Sequence, residues 1–148
     1  MAITTAWYPL GLRYLLETPL NIEGATVKLA LVTSSYTPNR DTDDFRNDFT
    51  ASEVATASGY TAGGVSLGTP AWSYDAASDQ VRLDFGTDPA WTFSATVTWR
   101  YGVVYVDTGG ADSTDPLIAL LDWGSNQSVS GDYTLTIDPT GLLALDCT

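Results

Sequence analysis

From Gly64 onward the chain is a succession of short apolar or alternating runs, each closed by turn chemistry. That rhythm constrains the fold more than any other feature of the sequence. VSLGTPAWSYD (65–75), DQVRLDF (79–85), WTFSATVT (91–98), RYGVVYVDT (100–108), PLIALLDWG (116–124), YTLTIDP (133–139) and LLALD (142–146) read as strands. The separators are Ala76-Ala77-Ser78, Thr87-Asp88-Pro89, Gly109-Gly110, Ser130-Gly131-Asp132 and Pro139-Thr140-Gly141. With TVKLALVT (26–33) added, about eight strands at this spacing predict an all-β sandwich or barrel. A chain of 148 residues fits one such domain, and neither an internal repeat nor a low-complexity linker divides it. The expectation is a single β-sandwich of jelly-roll-like type over 1–148.

The alternation assigns faces. In residues 26–33, Val27, Leu29 and Leu31 share one side and Lys28, Ala30 and Val32 the other, with almost no polar face, as an interior strand requires. Tyr133, Leu135 and Ile137 alternate with Thr134 and Thr136, which predicts one wet face. VVYV and LIALL alternate poorly and predict strands buried on both sides or facing a partner.

Two segments depart from the β pattern. Residues 4–18, TTAWYPLGLRYLLET, predict a short helix capped at Thr4 or Thr5, with Pro9 in its first turn and Pro19 stopping it. Trp7, Leu10 and Tyr14 fall on one side of it, and Gly11 weakens it by about 1 kcal/mol relative to Ala. Residues 1–19 therefore read either as a helix capping the β core or as an aromatic arm that docks on another subunit. The second segment, residues 36–64 of YTPNRDTDDFRNDFTASEVATASGYTAGGVSL, is an acidic insertion after the first strand. It carries Asp41, Asp43, Asp44 and Asp48 against Arg40 and Arg46. Asp41–Phe49 predicts one or two helical turns, with Phe45 and Phe49 laid on the sheet and the acids facing out. Ser58-Gly59 and Gly63-Gly64 on either side of Tyr60 predict an anchored turn with an aromatic plug. Structured insertions of this length are usually functional or close the fold.

Composition narrows the chemistry. Six Lys and Arg against eighteen Asp and Glu give a net charge of −12, a field that repels nucleic acid and anionic membranes. No apolar run reaches the roughly 20 residues that span a bilayer, and no basic-then-apolar leader is present, so synthesis in the cytosol is expected. With no histidine, the commonest general base, the usual zinc ligand and every Ser-His or Cys-His pair are missing. Cys147 is a lone cysteine with no neighbour to activate it.

Read as a calcium loop from Asp41, DTDDFRND puts Phe45 and Arg46 where an oxygen ligand and a glycine belong, and Ser52 where a Glu belongs. No metal, cofactor or catalytic residue is expected. A paired-carboxylate glycosidase is the formal enzymatic alternative. Five Trp, with Trp91 and Trp99 on one face of a regular strand, make a carbohydrate-binding sandwich another, although Trp72 and Trp123 lie in apolar patterns that suit a core.

Several runs together carry a resemblance: YTPNRDTDDFRNDFTASEV, GYTAGGVSL, WRYGVVYVDTG, DPLIALLDWGSNQSVSGDYTLTID and GLLALD, in that order from about Leu20 to Leu145. The series resembles a family of small tailed-bacteriophage virion proteins. The resemblance implies an all-β structural protein of the phage particle, made in the bacterial cytoplasm. It is placed on the head as a decoration or cement protein bound to the major capsid protein, with tail, neck or fibre as alternative stations. A homo-oligomer is expected, a trimer being the state favoured for a cement protein, and it is not expected to be an enzyme. The candidate contact residues are Trp7, Tyr8 and Tyr14 in the N-terminal segment and Asp41, Asp43, Asp44, Phe45, Asp48 and Phe49 in the insertion.

Overall fold

The computed structural model describes residues 2–147, and it opens with a strand where the sequence predicts a helix. Strand β1 (Thr4–Trp7) precedes helix α1 (Pro9–Glu17). Proline at the first helical position fixes where α1 begins, because its ring is tolerated only in the first turn. The β-branched Thr4 and Thr5 then pair in a sheet. At the other end of α1, Thr18 donates to Tyr14 O both from its backbone N–H (3.0 Å) and from its hydroxyl (2.7 Å) before Pro19 ends the turn.

Next come β2 (Thr26–Val32), β3 (Val65–Ser66), β4 (Pro70–Asp75), β5 (Gln80–Phe85), β6 (Ala90–Asp107), β7 (Leu117–Thr134) and β8 (Leu143–Asp146). They form two antiparallel sheets, ordered β1-β7-β6-β2-β3 and β4-β5-β8. This is the sandwich that the turn spacing predicts, with the strands divided differently.

β6 and β7 each run 18 residues, through positions where a break between two strands is expected. Register shifts between Phe93 and Val97 and between Trp99 and Tyr101 absorb the irregularity. Gly131 has the left-handed φ of 88° that its turn signal suggests, but it pairs with Phe93 inside the ladder. The surplus residues lie opposite, in β6, where Ser94–Thr96 face Ser130 alone. Beyond the shifts, Trp91, Phe93, Trp99, Trp123 and Tyr133 pack as one aromatic group, with Trp99 5.0 Å from Tyr133 and 6.1 Å from Trp123.

Two cores flank the large sheet. Val27, Leu29, Leu31, Val104, Val106, Ile118 and Leu121 face Leu83, Phe85 and Leu143 across the sandwich. On the opposite side Ala30, Val32, Tyr101, Val103, Tyr105 and Leu117 meet Tyr8, Tyr36 and Phe49. The split of β2 follows its sequence alternation. VVYV and LIALL alternate poorly because both of their faces are covered, by the small sheet on one side and by the insertion with Tyr8 on the other.

Candidate functional site: the acidic insertion

The insertion is held on the outer core by backbone bonds at its ends and its middle. Thr33 N–H donates to Ser52 O and Val54 N–H to Leu31 O, both at 2.9 Å, so Glu53 runs antiparallel to the end of β2. Midway, Arg46 N–H donates to Asp115 O and Leu117 N–H to Asp44 O, again at 2.9 Å, fastening Phe45 beside Pro116. Asp115, itself buried, accepts from Thr108 N–H at 2.9 Å and from the Thr108 hydroxyl at 2.7 Å. The segment is therefore a clasp between the end of β2 and the start of β7.

Its interior holds a polar network that converges on one carboxylate and leaves only Arg46 Nε of its members buried without a partner. Glu53, whose side chain is 4% exposed, accepts from the Tyr60 hydroxyl at 2.8 Å, from Gly63 N–H, and from Arg46 Nη2 at 3.1 Å. Arg46 also pairs with Asp112 and lies 5.3 Å from the centre of the Tyr105 ring, within cation–π range. The Tyr105 hydroxyl donates to Gly63 O at 2.7 Å. Tyr60, besides donating to Glu53, accepts from Leu31 N–H at 3.0 Å, so one phenol bridges insertion and sheet. Burial is the largest cause holding the Tyr60 and Tyr105 phenols well above the ordinary tyrosine range, and the Glu53 carboxylate raises both further.

A second buried chain links the N-terminal segment to the insertion. The Tyr8 and Tyr36 hydroxyls lie 3.0 Å apart, and Tyr36 donates onward to Asp43 Oδ2 at 2.6 Å. Desolvation, the largest cause, raises both phenols.

The expected contact residues divide sharply. Tyr8 and Phe49 are 0% exposed; they build the outer core and present nothing to a partner. Trp7 is half-buried, stacked on Trp72 at 6.2 Å with its indole N–H donated to Ala144 O at 2.9 Å, so it staples the two sheets together. The N-terminal segment is thus a working part of the domain and not a free arm. Tyr14 and Phe45, both half-buried, meet edge-on at 5.4 Å.

Among the acids, Asp43 also accepts from Asn39 N–H at 2.8 Å. Asp48 reaches back to Asp44 N–H at 2.8 Å and Phe45 N–H at 3.2 Å, capping the 3-10 turn Arg46–Asp48 that stands where one or two helical turns are predicted. Asp44 is raised above the usual carboxylate range, first by partial burial and then by Asp48. Asp41 projects into solvent. The carboxylates of Asp43 and Asp48 thus serve the backbone and Tyr36 in place of a common centre.

Glu53 is the residue that pattern reading passes over. Its only signal is type: in a chain where Asp dominates the acids, a Glu in a buried-looking segment offers the extra carbon needed to reach three donors. Trp91 and Trp99, the basis of a sugar-stacking reading, are 5% and 0% exposed and point into the sandwich.

The surface charge is left uncompensated. Arg13, Lys28, Arg46, Arg82 and Arg100 pair with acids of the same chain. Arg40 reaches only Trp7 O, at 3.4 Å. Among the described residues, Asp41, Asp43, Asp44 and Asp48 form no ion pair, and Arg40 is the one cation of their segment left outside a salt bridge. Comparison of the chain with protein-family models, curated proteins and solved structures finds no match.

Proposed function

We propose that this protein is a structural component of a bacteriophage particle, a head decoration or cement protein that binds the capsid shell and stabilises it. The observation that carries the binding half of this reading is the clasp. An acidic surface with Asp41 exposed and Asp44 half-buried beside it is held by the buried Glu53 and Tyr36 networks, so docking orders little chain and loses little entropy. Acids so placed orient the protein on a basic surface more than they add affinity. The phage half rests on the resemblance of the runs from Leu20 to Leu145; neck, tail or fibre is the alternative station. In this role the protein is a homo-oligomer, a trimer on the cement-protein analogy, and no residue is catalytic.

Stabilisation follows from mass action. A protein that binds only the assembled shell adds about 2.7 kcal/mol per site at a free concentration of 100 Kd. The test is cryo-electron microscopy of particles made with and without this protein, together with their thermal disruption temperature. Ordered density at one repeated site on the head and a raised disruption temperature are expected; particles identical in both respects refute the reading.

A further inference from the structure

β1 forms one border of the large sheet, and its outer edge is open. In an antiparallel ladder alternate residues turn their N–H and C=O toward the neighbouring strand. Tyr8 N–H donates to Ile118 O, and Thr4 lies opposite Asp122. Thr4, Ala6 and Tyr8 therefore face β7, while Ile3, Thr5 and Trp7 turn outward. Trp7 O is met by Arg40, whereas the N–H and C=O of Thr5 point away from β7 on a border that no other strand of the sheet covers.

A cleft of about 250 Å³ opens at the same place, with Thr5 on its wall and Leu121, Leu135, Ile137 and Leu142 as its apolar lining. An apolar cavity of roughly 150 Å³ accommodates benzene, so this one holds a phenylalanine- or leucine-sized side chain. Edge strands are ordinarily protected by shortness, Lys, Pro or inward charges; β1 is short, at four residues, but Ile3–Trp7 contains no Lys, Pro or charge.

We propose that this edge accepts an extended segment of a partner protein, paired with β1 as an added strand, with one apolar side chain in the cleft and basic residues on either side of it. Strand addition draws affinity from backbone bonds and specificity from pockets at alternate positions, and both elements meet here at Thr5. Charge selects the occupant. Asp138, also on the wall, accepts from the N–H and hydroxyl of Thr140 and, among the described residues, forms no ion pair; the nearby Arg82 is committed to Asp75. At this edge a second copy would set the same Asp138-bearing border beside Asp138, in a chain of net charge −12, whereas a basic-flanked segment meets a carboxylate with no ion pair of its own. The proposal rests on the reading above only for the source of the segment, the capsid surface.

The test uses the full chain and a short synthetic peptide alternating arginine with apolar residues around a central phenylalanine, alongside the same peptide N-methylated on its bonding edge. Saturable binding is expected, with hydrogen exchange of the Thr5 amide slowed about tenfold or more and affinity reduced at least about tenfold by Thr136→Trp, which plugs the cleft from an exposed position. Thr5→Pro, which removes the outward N–H while leaving the β7-facing bonds, weakens it likewise. Unchanged Thr5 exchange, equal binding of the N-methylated peptide, or undiminished binding by Thr136→Trp overturns the proposal. If the peptide results hold while Thr136→Trp attaches normally to particles, the strand site stands and only its use in the virion is refuted.

Discussion

Helix α1 lies so close to β7 that Gly11 has no room for a side chain. A Cβ built there would sit 1.5 Å from Leu117 O and 2.7 Å from the Leu117 carbonyl carbon. Optimal non-bonded separations are near 3.5 Å, so Gly11→Ala obliges the helix to retreat by roughly 2 Å. The obstacle is backbone at the start of β7, a strand paired on both sides, and it cannot give way as a side chain tip would. Retreat also pulls on Tyr8, the fully buried residue at the N-cap of the helix, and hence on its contact with Tyr36.

Two effects of opposite sign compete. Helix propensity favours Ala over Gly by about 1 kcal/mol; overpacking costs about 1–3 kcal/mol and more where nothing can relax. With the second at or beyond its upper end, the net loss is about 2–4 kcal/mol, or roughly 5–15 °C in Tm for a domain of this size. Urea and thermal unfolding followed by tryptophan fluorescence measures it. Gly24→Ala serves as the control, since the nearest atom to its Cβ is Asn21 Nδ2 at 3.6 Å, and it should stay within about 0.5 kcal/mol of the parent. A Gly11→Ala protein as stable as the parent, or more so, refutes the claim that contact outweighs propensity here.

The other predictions concern the clasp. Glu53→Gln leaves Arg46 buried with a weakened partner and should lower stability by about 3 kcal/mol, the scale for breaking a buried pair from one side; a denaturation midpoint within error of the parent would count against Glu53 as the hub. Tyr8, Tyr36, Tyr60 and Tyr105 all have folded pKa values raised above the unfolded value of about 10. Their contribution is therefore complete below pH about 10 and is lost as pH rises, so ultraviolet titration should show a class of tyrosines that ionise only as the protein unfolds in strong base; smooth ionisation of every tyrosine in the folded state would contradict this. Asp41→Asn should weaken attachment to particles more in low salt than in high salt without changing stability, because exposed charges act through a screened field; equal loss at both salts would exclude an electrostatic contact.

Alternation alone determined that Val27, Leu29 and Leu31 face one way and Ala30 and Val32 the other, because the period of a strand is a local property of the backbone. It also marked VVYV and LIALL as either buried on both sides or facing a partner, and the turn residues set the approximate count of strands and the all-β class. The aromatic positions Phe49 and Tyr60 were legible as anchors of the insertion. Tertiary structure decided the rest. Thr4–Trp7 became a strand because β7 offered an edge, although its local pattern suits a helix. Ser130-Gly131-Asp132 stayed in the ladder because β6 continued opposite it, the irregularity falling in β6 between Phe93 and Val97. Gly11, which local propensity counts only as a weakness, is required by the approach of Leu117. Glu53 became the centre of the clasp because Arg46, Tyr60 and Gly63, separated from it by 7, 7 and 10 residues, converge on its carboxylate. The open edge at Thr5 is of the same kind: whether a strand has a neighbour depends on the positions of all the others, and no local stretch of sequence contains that information.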